Sequence, residues 1–283
     1  MNCIGISVFL GREEPLPKVV HSLFTEACQE CAQTNRFEVH VSGALLIWVA
    51  FAVGVASFAQ SLAGFGFALL CVPIMTVFVP PHEAVVISTA IGAVSTTIQA
   101  YTDRANTDWV MARRLIMSSF LGMPLGLAAF VFVSESVMRI VLGVVVSLAA
   151  FLLWKGFRLK EETRIVDWGL GIISGALSTS LSTNGPPIVF VMQARQFPPT
   201  IFRATINTVF SIVGLVSLAL FVGTGKVEAK SINGILVALP VLAVSLSIGF
   251  RIRPHVHGER FRRLVLFLLL LSGLSAIVAA ITH

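Results

Sequence analysis

The stretch Ser178 to Phe190, reading STSLSTNGPPIVF, lies inside strongly apolar sequence. It nevertheless holds five Ser or Thr residues, an Asn, a Gly and two adjacent prolines. Each proline removes a backbone donor and clashes with the preceding turn, so an unbroken helix through it is disfavoured. What this means depends on the solvent. The chain is 56% hydrophobic and 12% charged, with a mean hydropathy of +0.90. It contains several uncharged apolar runs of about 18 residues or more, the length that spans a bilayer. A soluble core does not require such runs, so composition places the chain among all-α polytopic membrane proteins. Inside a bilayer, freed backbone groups must be satisfied by protein or in a water-lined cavity. The stretch therefore reads as a helix break in the protein interior.

The remaining segments are arranged around that break. Residues 1–43 are polar, contain no run long enough to span, and lack the basic n-region and apolar core of a signal peptide. Ala44 to Leu62 is apolar and ends in Ser57, Gln60 and Ser61. Ala63-Gly64-Phe65-Gly66 follows, then an apolar piece, Phe67 to Val79, closed by Pro80-Pro81. At about 13 residues this piece covers roughly 20 Å, short of the ~30 Å hydrocarbon core. Glu83–Tyr101, Leu115–Val133 and Val137–Trp154 are full spans. The order then recurs: Asp167–Ser182, a break at Thr183–Pro187, short Ile188–Ala194 closed by Pro198-Pro199, and spans near Ala204–Val222, Ile232–Phe250 and Leu264–Ile281. Four parts are expected: an extension (1–43), a first repeat (44–155), a basic cytoplasmic linker (156–166) and a second repeat (167–283), giving about 8–10 membrane segments in all.

Charge sets the expected orientation. The formal charge of +6 sits in short loops between apolar runs, where it directs topology rather than forming a nucleic-acid surface. Lys155, Arg158, Lys160 and Arg164 mark the linker as cytoplasmic. Arg104, Arg113 and Arg114, and the cluster from Arg251 to Arg263, mark two further loops. Counting outward puts both termini outside and inverts the halves relative to each other; Lys226 and Lys230 are the discordant pair. The four cysteines (Cys3, Cys28, Cys31 and Cys71) include a single CxxC, too little for a disulfide framework, a metal site or a cofactor.

Inverted repeats with short, interrupted segments at matching places point to an alternating-access transporter with its site where the breaks meet. Short-helix N-termini offer unpaired N–H groups and partial positive charge, a natural setting for an anion. Gly66, Phe67 and Ala68 keep their N–H groups, whereas Pro186 and Pro187 have none, leaving Gly185 and Ile188 as donors there. The first break is thus expected to grip through backbone, the second through Thr183 and Asn184. The expected substrate-binding set is Gln60, Gly64, Gly66, Phe67, Thr183, Asn184, Gly185 and Gln193. The alternative is structural: Pro-Pro suits a helix start, and glycine permits close helix packing. Gln99 and Asn207 either line the path or bond between helices. Arg203 either attracts an anion or anchors at the interface. His82-Glu83 reads as a solvated helix start.

GFGFALLCVP at the first break, NGPPIVFVMQAR at the second and FRATIN beyond it resemble the TauE/SafE family of membrane permeases. The resemblance covers about residues 44–281 and includes the internal repeat. Phe65 and Phe67 stand where that family often has further glycines. The resemblance implies a permease or exporter for a small anion: sulfite, an organosulfonate or a sulfur-containing carboxylate. It implies a bacterial inner membrane and a driving gradient of protons or sodium ions, between which no residue chooses. Three other readings stand beside it: an anion channel, a non-transporting assembly factor, and a sulfur-handling intramembrane enzyme. The last would need a nucleophile or metal set, and Cys71 stands without a His or Asp partner in the sequence.

Overall fold

The computed structural model describes residues 43–155, 164–195 and 197–252. The chain divides into two compact units, Met1–Ile47 and Trp48–His283. The described residues form α-helices, one 3-10 turn and no strand. In order the helices are α1 (Gly43–Ala63), α2 (Phe67–Met75), α3 (Pro81–Asp103), α4 (Trp109–Phe132), α5 (Glu135–Lys155), α6 (Arg164–Leu181), α7 (Gly185–Ala194), α8 (Pro199–Gly223) and α9 (Ala229–Ile252). Five of them, α1, α3, α4, α8 and α9, are long and apolar enough to cross a membrane. Leu121, Leu125 and Phe132 of α4 are exposed, as are Leu236 and Val244 of α9; such a surface suits lipid. The last expected span, Leu264–Ile281, the extension through residue 42 and linker residues 156–163 lie outside the described residues.

Both breaks fall where the Gly, Pro and Asn residues cluster, with one shift. α7 opens at Gly185, so Pro186 and Pro187 lie in its first turn rather than in the break. Proline fits there because first-turn N–H groups have no intrahelical partner to lose. The same rule lengthens two spans: α3 begins at Pro81 and α8 at Pro199, each capped by the preceding proline. α4 starts at an Asp108 cap whose Oδ1 accepts from Val110 N and Met111 N, both at 3.0 Å.

Glycine sets how closely these helices approach. α4 packs on α6 so tightly that a Cβ on Gly122 would overlap Ile172 O, and one on Gly175 would overlap Ser119 O. Gly126 is equally closed by Ala176 O, and Thr179 Oγ1 donates to Met123 O at 2.8 Å. A second seam joins α1 to α9, where Gly249 lies against Ser61 and Gly54 against Val241 and Ser245. In both seams residue numbers rise together, so each pair of helices is parallel. α3 and α8 do the opposite. Ala93 meets Gly214, Thr97 Oγ1 meets Ser211 Oγ at 2.7 Å, and Thr107 meets Thr208 at 3.2 Å. These two helices are antiparallel. A core of Met111, Ile116 and Met123 with Ile188, Met192, Ile206 and Val213 joins α4, α7 and α8.

Candidate functional site

The first break is made by left-handed backbone. Gly64 (φ 83) and Gly66 (φ 94) both adopt it, a conformation glycine enters without steric cost. Gly64 N donates to Gln60 O at 2.6 Å, closing α1, and Gly66 caps α2. At the second break Ser182 takes the same conformation (φ 59), as a non-glycine residue. Ser182 N donates to Ser178 O and Thr183 N to Leu177 O, each at 3.1 Å. Ser174 Oγ then donates to Asn184 O at 2.7 Å, holding the break against α6. Trp48 Nε1 anchors the other short helix by donating to Ile74 O at 2.8 Å.

Both breaks open onto one cavity of about 40 Å³. A single water needs only ~10–15 Å³ on the same measure, so there is room for a small ion. Gly66, Phe67 and Ala68 at the start of α2 line one side, with Thr183, Asn184 and Gly185 at the start of α7 on the other. Gln60 and Thr96 add polar groups, and Phe210 an apolar wall. Thr183 is 1% exposed, and its Oγ1 is buried without a hydrogen-bond partner. A buried hydroxyl left unbonded costs free energy, so Thr183 Oγ1 is available to bond a molecule in the cavity. Gln60 is already fixed, its Oε1 accepting from Ser95 Oγ at 2.6 Å, and Gln99 Nε2 reaches that same hydroxyl at 3.3 Å.

Of the expected binding set, six residues share this cavity: Gln60, Gly66, Phe67, Thr183, Asn184 and Gly185. Gly64 lies off the wall. A Cβ there would sit 2.6 Å from Arg203 Cγ, so the glycine makes room for that side chain. Gln193 is on α7, and its side chain lies outside the described residues. Asn207 bonds within its own helix, Nδ2 donating to Arg203 O at 2.9 Å. His82 is more than a solvated helix start: its Nε2 lies 2.9 Å from Phe130 O, tying α3 to the end of α4. Arg203 packs its methylenes on Gly64 at the first break.

One cluster escaped the sequence reading. Asp167 of α6, 2% exposed, takes Arg114 Nη1 at 2.7 Å and Arg195 Nη2 at 2.5 Å on the same carboxylate oxygen. It joins the start of α4, the start of α6 and the end of α7. The signal was a carboxylate opening an apolar run, but its partners are 53 and 28 residues away.

Two discontinuous helices facing one cavity define a multi-pass helical membrane protein of the broken-helix kind. The comparisons give its family. Residues 49–276 match the model described as Sulfite exporter TauE/SafE, and the chain belongs to that family of membrane transporters. Among curated proteins it is 28% identical over 138 residues to the probable inner membrane transporter protein TsaS of Comamonas testosteroni, covering 45% of this chain and 57% of the relative. It is 25% identical over 112 residues to the probable sulfite/organosulfonate exporter TauE of Cupriavidus necator, covering 40% and 44%. The matches thus span about half the length of those relatives. No solved structure matches the chain.

Proposed function

We propose that the protein is a secondary transporter that exports a small anion such as sulfite, an organosulfonate or a sulfur-containing carboxylate across a bacterial inner membrane. The observation that carries this reading is the shared cavity, where two short-helix N-termini and the unbonded Thr183 hydroxyl converge. Such termini favour negative charge. Gly66, Phe67, Thr183, Asn184 and Gly185 would contact the anion, with Gln60 as further lining. The protein would act by binding and release, not as an enzyme. It would be driven by a proton or sodium gradient, with both termini outside.

Alternating access between inverted repeats is supported by helix direction. α3 and α8 hold the same place in the two halves and run antiparallel. The parallel seams agree, since α6 lies along α4 as α1 lies along α9. An anion channel is the second reading, favoured only by the fact that two facing breaks can also line a pore.

The test is thermal stability of the purified protein in detergent against sulfite, thiosulfate, sulfonates and short carboxylates. A ligand that binds the folded state raises the midpoint in a saturable way. Thr183→Val keeps the volume and removes one bond to a charged ligand. That bond contributes about 1.5–3 kcal/mol, so affinity should fall roughly ten- to a hundredfold. Asn184→Leu should weaken binding as well while the ligand-free protein stays folded. Stabilisation by an anion that neither variant alters would move the site elsewhere. Proteoliposome flux that saturates and responds to an opposing gradient would separate transporter from channel.

A further inference from the structure

We infer that Ser95 and Gln99 are positioning residues that turn the side-chain amide of Gln60, so that its NH2 group rather than its oxygen serves the cavity. This rests on the reading of the cavity as the anion site and adds how one wall of it is set to donate. Gln60, Ser95 and Gln99 are each 1% exposed or less. Of the three, Gln60 lines the cavity. It lies in the last turn of α1, where the helix ends in carbonyls carrying partial negative charge. Those carbonyls repel an anion at the break. A fixed amide donor on the same turn offsets them, because the oxygens of an anion accept hydrogen bonds and cannot give them.

The direction of the bonds follows from one backbone carbonyl. Gln99 Nε2 stands 3.5 Å from Ser95 O and 3.3 Å from Ser95 Oγ. A carbonyl only accepts, so it selects the nitrogen end of Gln99. That nitrogen donates to Ser95 Oγ as well, and the hydroxyl must send its single proton elsewhere. The proton goes to Gln60 Oε1, at 2.6 Å. With its oxygen held, Gln60 has Nε2 left, which meets no partner among the described residues. Ser95 differs here from its neighbours on α3. Thr89 and Thr96 give their protons to carbonyls one turn back in their own helix, each at 2.8 Å, whereas Ser95 reaches across to α1. An amide turned end for end keeps its shape, so packing alone does not choose which end is free; the chain of directed bonds does.

The test is a double-mutant cycle on affinity, with sulfite and methanesulfonate as probes. Dissociation constants come from titrating the thermal midpoint of the full chain in detergent with each anion. Gln60→Met removes the donor, and affinity for the stabilising anion should fall about tenfold or more. Ser95→Ala releases the amide to turn and should cost about three- to tenfold. Gln99→Met frees the direction of the Ser95–Gln60 bond and should weaken binding in the same sense. Neither change should weaken binding further once Gln60→Met is in place, because both act through that amide. Midpoints without ligand report any structural loss separately, and Gln99→Met carries the cycle if Ser95→Ala does not fold. Unchanged affinity in Gln60→Met, or a loss from Ser95→Ala or Gln99→Met that persists beside Gln60→Met, overturns the inference and leaves the anion site standing. If neither anion stabilises the folded wild type in a saturable way, the reading of the cavity fails and the inference with it.

Discussion

Ser182 shows how much one residue records about a break. A β-carbon in the left-handed region costs about 1–2 kcal/mol, and glycine escapes that cost, as Gly64 does at the other break. Ser182→Gly should raise stability by about 1 kcal/mol, less a partial offset from the greater chain entropy of glycine. Thermal unfolding of the variant checks this; an unchanged or lower midpoint would mean the serine side chain holds the turn. The position of the break was legible in the sequence because Ser, Asn, Gly and Pro cluster in an apolar setting with no other use for them. The left-handed residue was not legible. Matching Gly64-Phe65-Gly66 to Thr183-Asn184-Gly185 passes over Ser182, and nothing in serine's chemistry favours a positive φ. The unbonded hydroxyl of Thr183 was likewise invisible. Ser178 and Thr183 carry the same polar group in the same run and differ in what surrounds them once the chain has folded. Ser178 Oγ meets Ser217 Oγ at 3.0 Å, whereas Thr183 Oγ1 meets no partner among the described residues.

At the scale of elements, most boundaries of the described spans were close to those read from the sequence because apolar runs report them directly. α4 and α8 begin well before Leu115 and Ala204, the expected starts. The errors were of two kinds. Prolines taken as breaks proved to be helix starts. Arg113 and Arg114, expected in a loop, lie in the first turns of α4, which starts at the Asp108 cap. The seams between helices went unread, although Gly122 with Gly126, and Gly171 with Gly175, repeat at the four-residue spacing that brings membrane helices together. Asp167 matters at this scale because it fastens three helix ends. Its side chain is 3% exposed, and those of Arg114 and Arg195 are 21% and 16% exposed. Asp167→Asn keeps the shape and removes the charge that both guanidinium groups face. Breaking a buried pair in this way costs about 3 kcal/mol or more. The variant should lose thermal stability at low salt and high salt alike, because a buried cluster is poorly screened. A midpoint equal to wild type would show that the cluster does not hold the helix ends together.

For the whole molecule, the recurrence of long helix, break, short piece, proline pair and further spans was visible in the sequence. The way the halves interlock was not, because it depends on contacts between residues far apart in the chain. α6 of the second half lies in a groove of α4 from the first, and α1 of the first lies along α9 of the second. Two polypeptides divided within residues 156–163 should therefore restore anion flux when produced together and co-purify. Either one alone should fail to accumulate. Independent stability of a single half, measured by its yield and melting in detergent, would count against this interlocking.

The same seams impose an order in time. A ribosome releases α1 long before α9 exists, so the side of α1 that carries Gly54 and Ser61 must wait in the membrane for most of synthesis without its neighbour. α4 waits a much shorter interval for α6. The first seam to close is thus the one between α4 and α6, and the nascent chain stays unfinished at its beginning until its far end has been inserted.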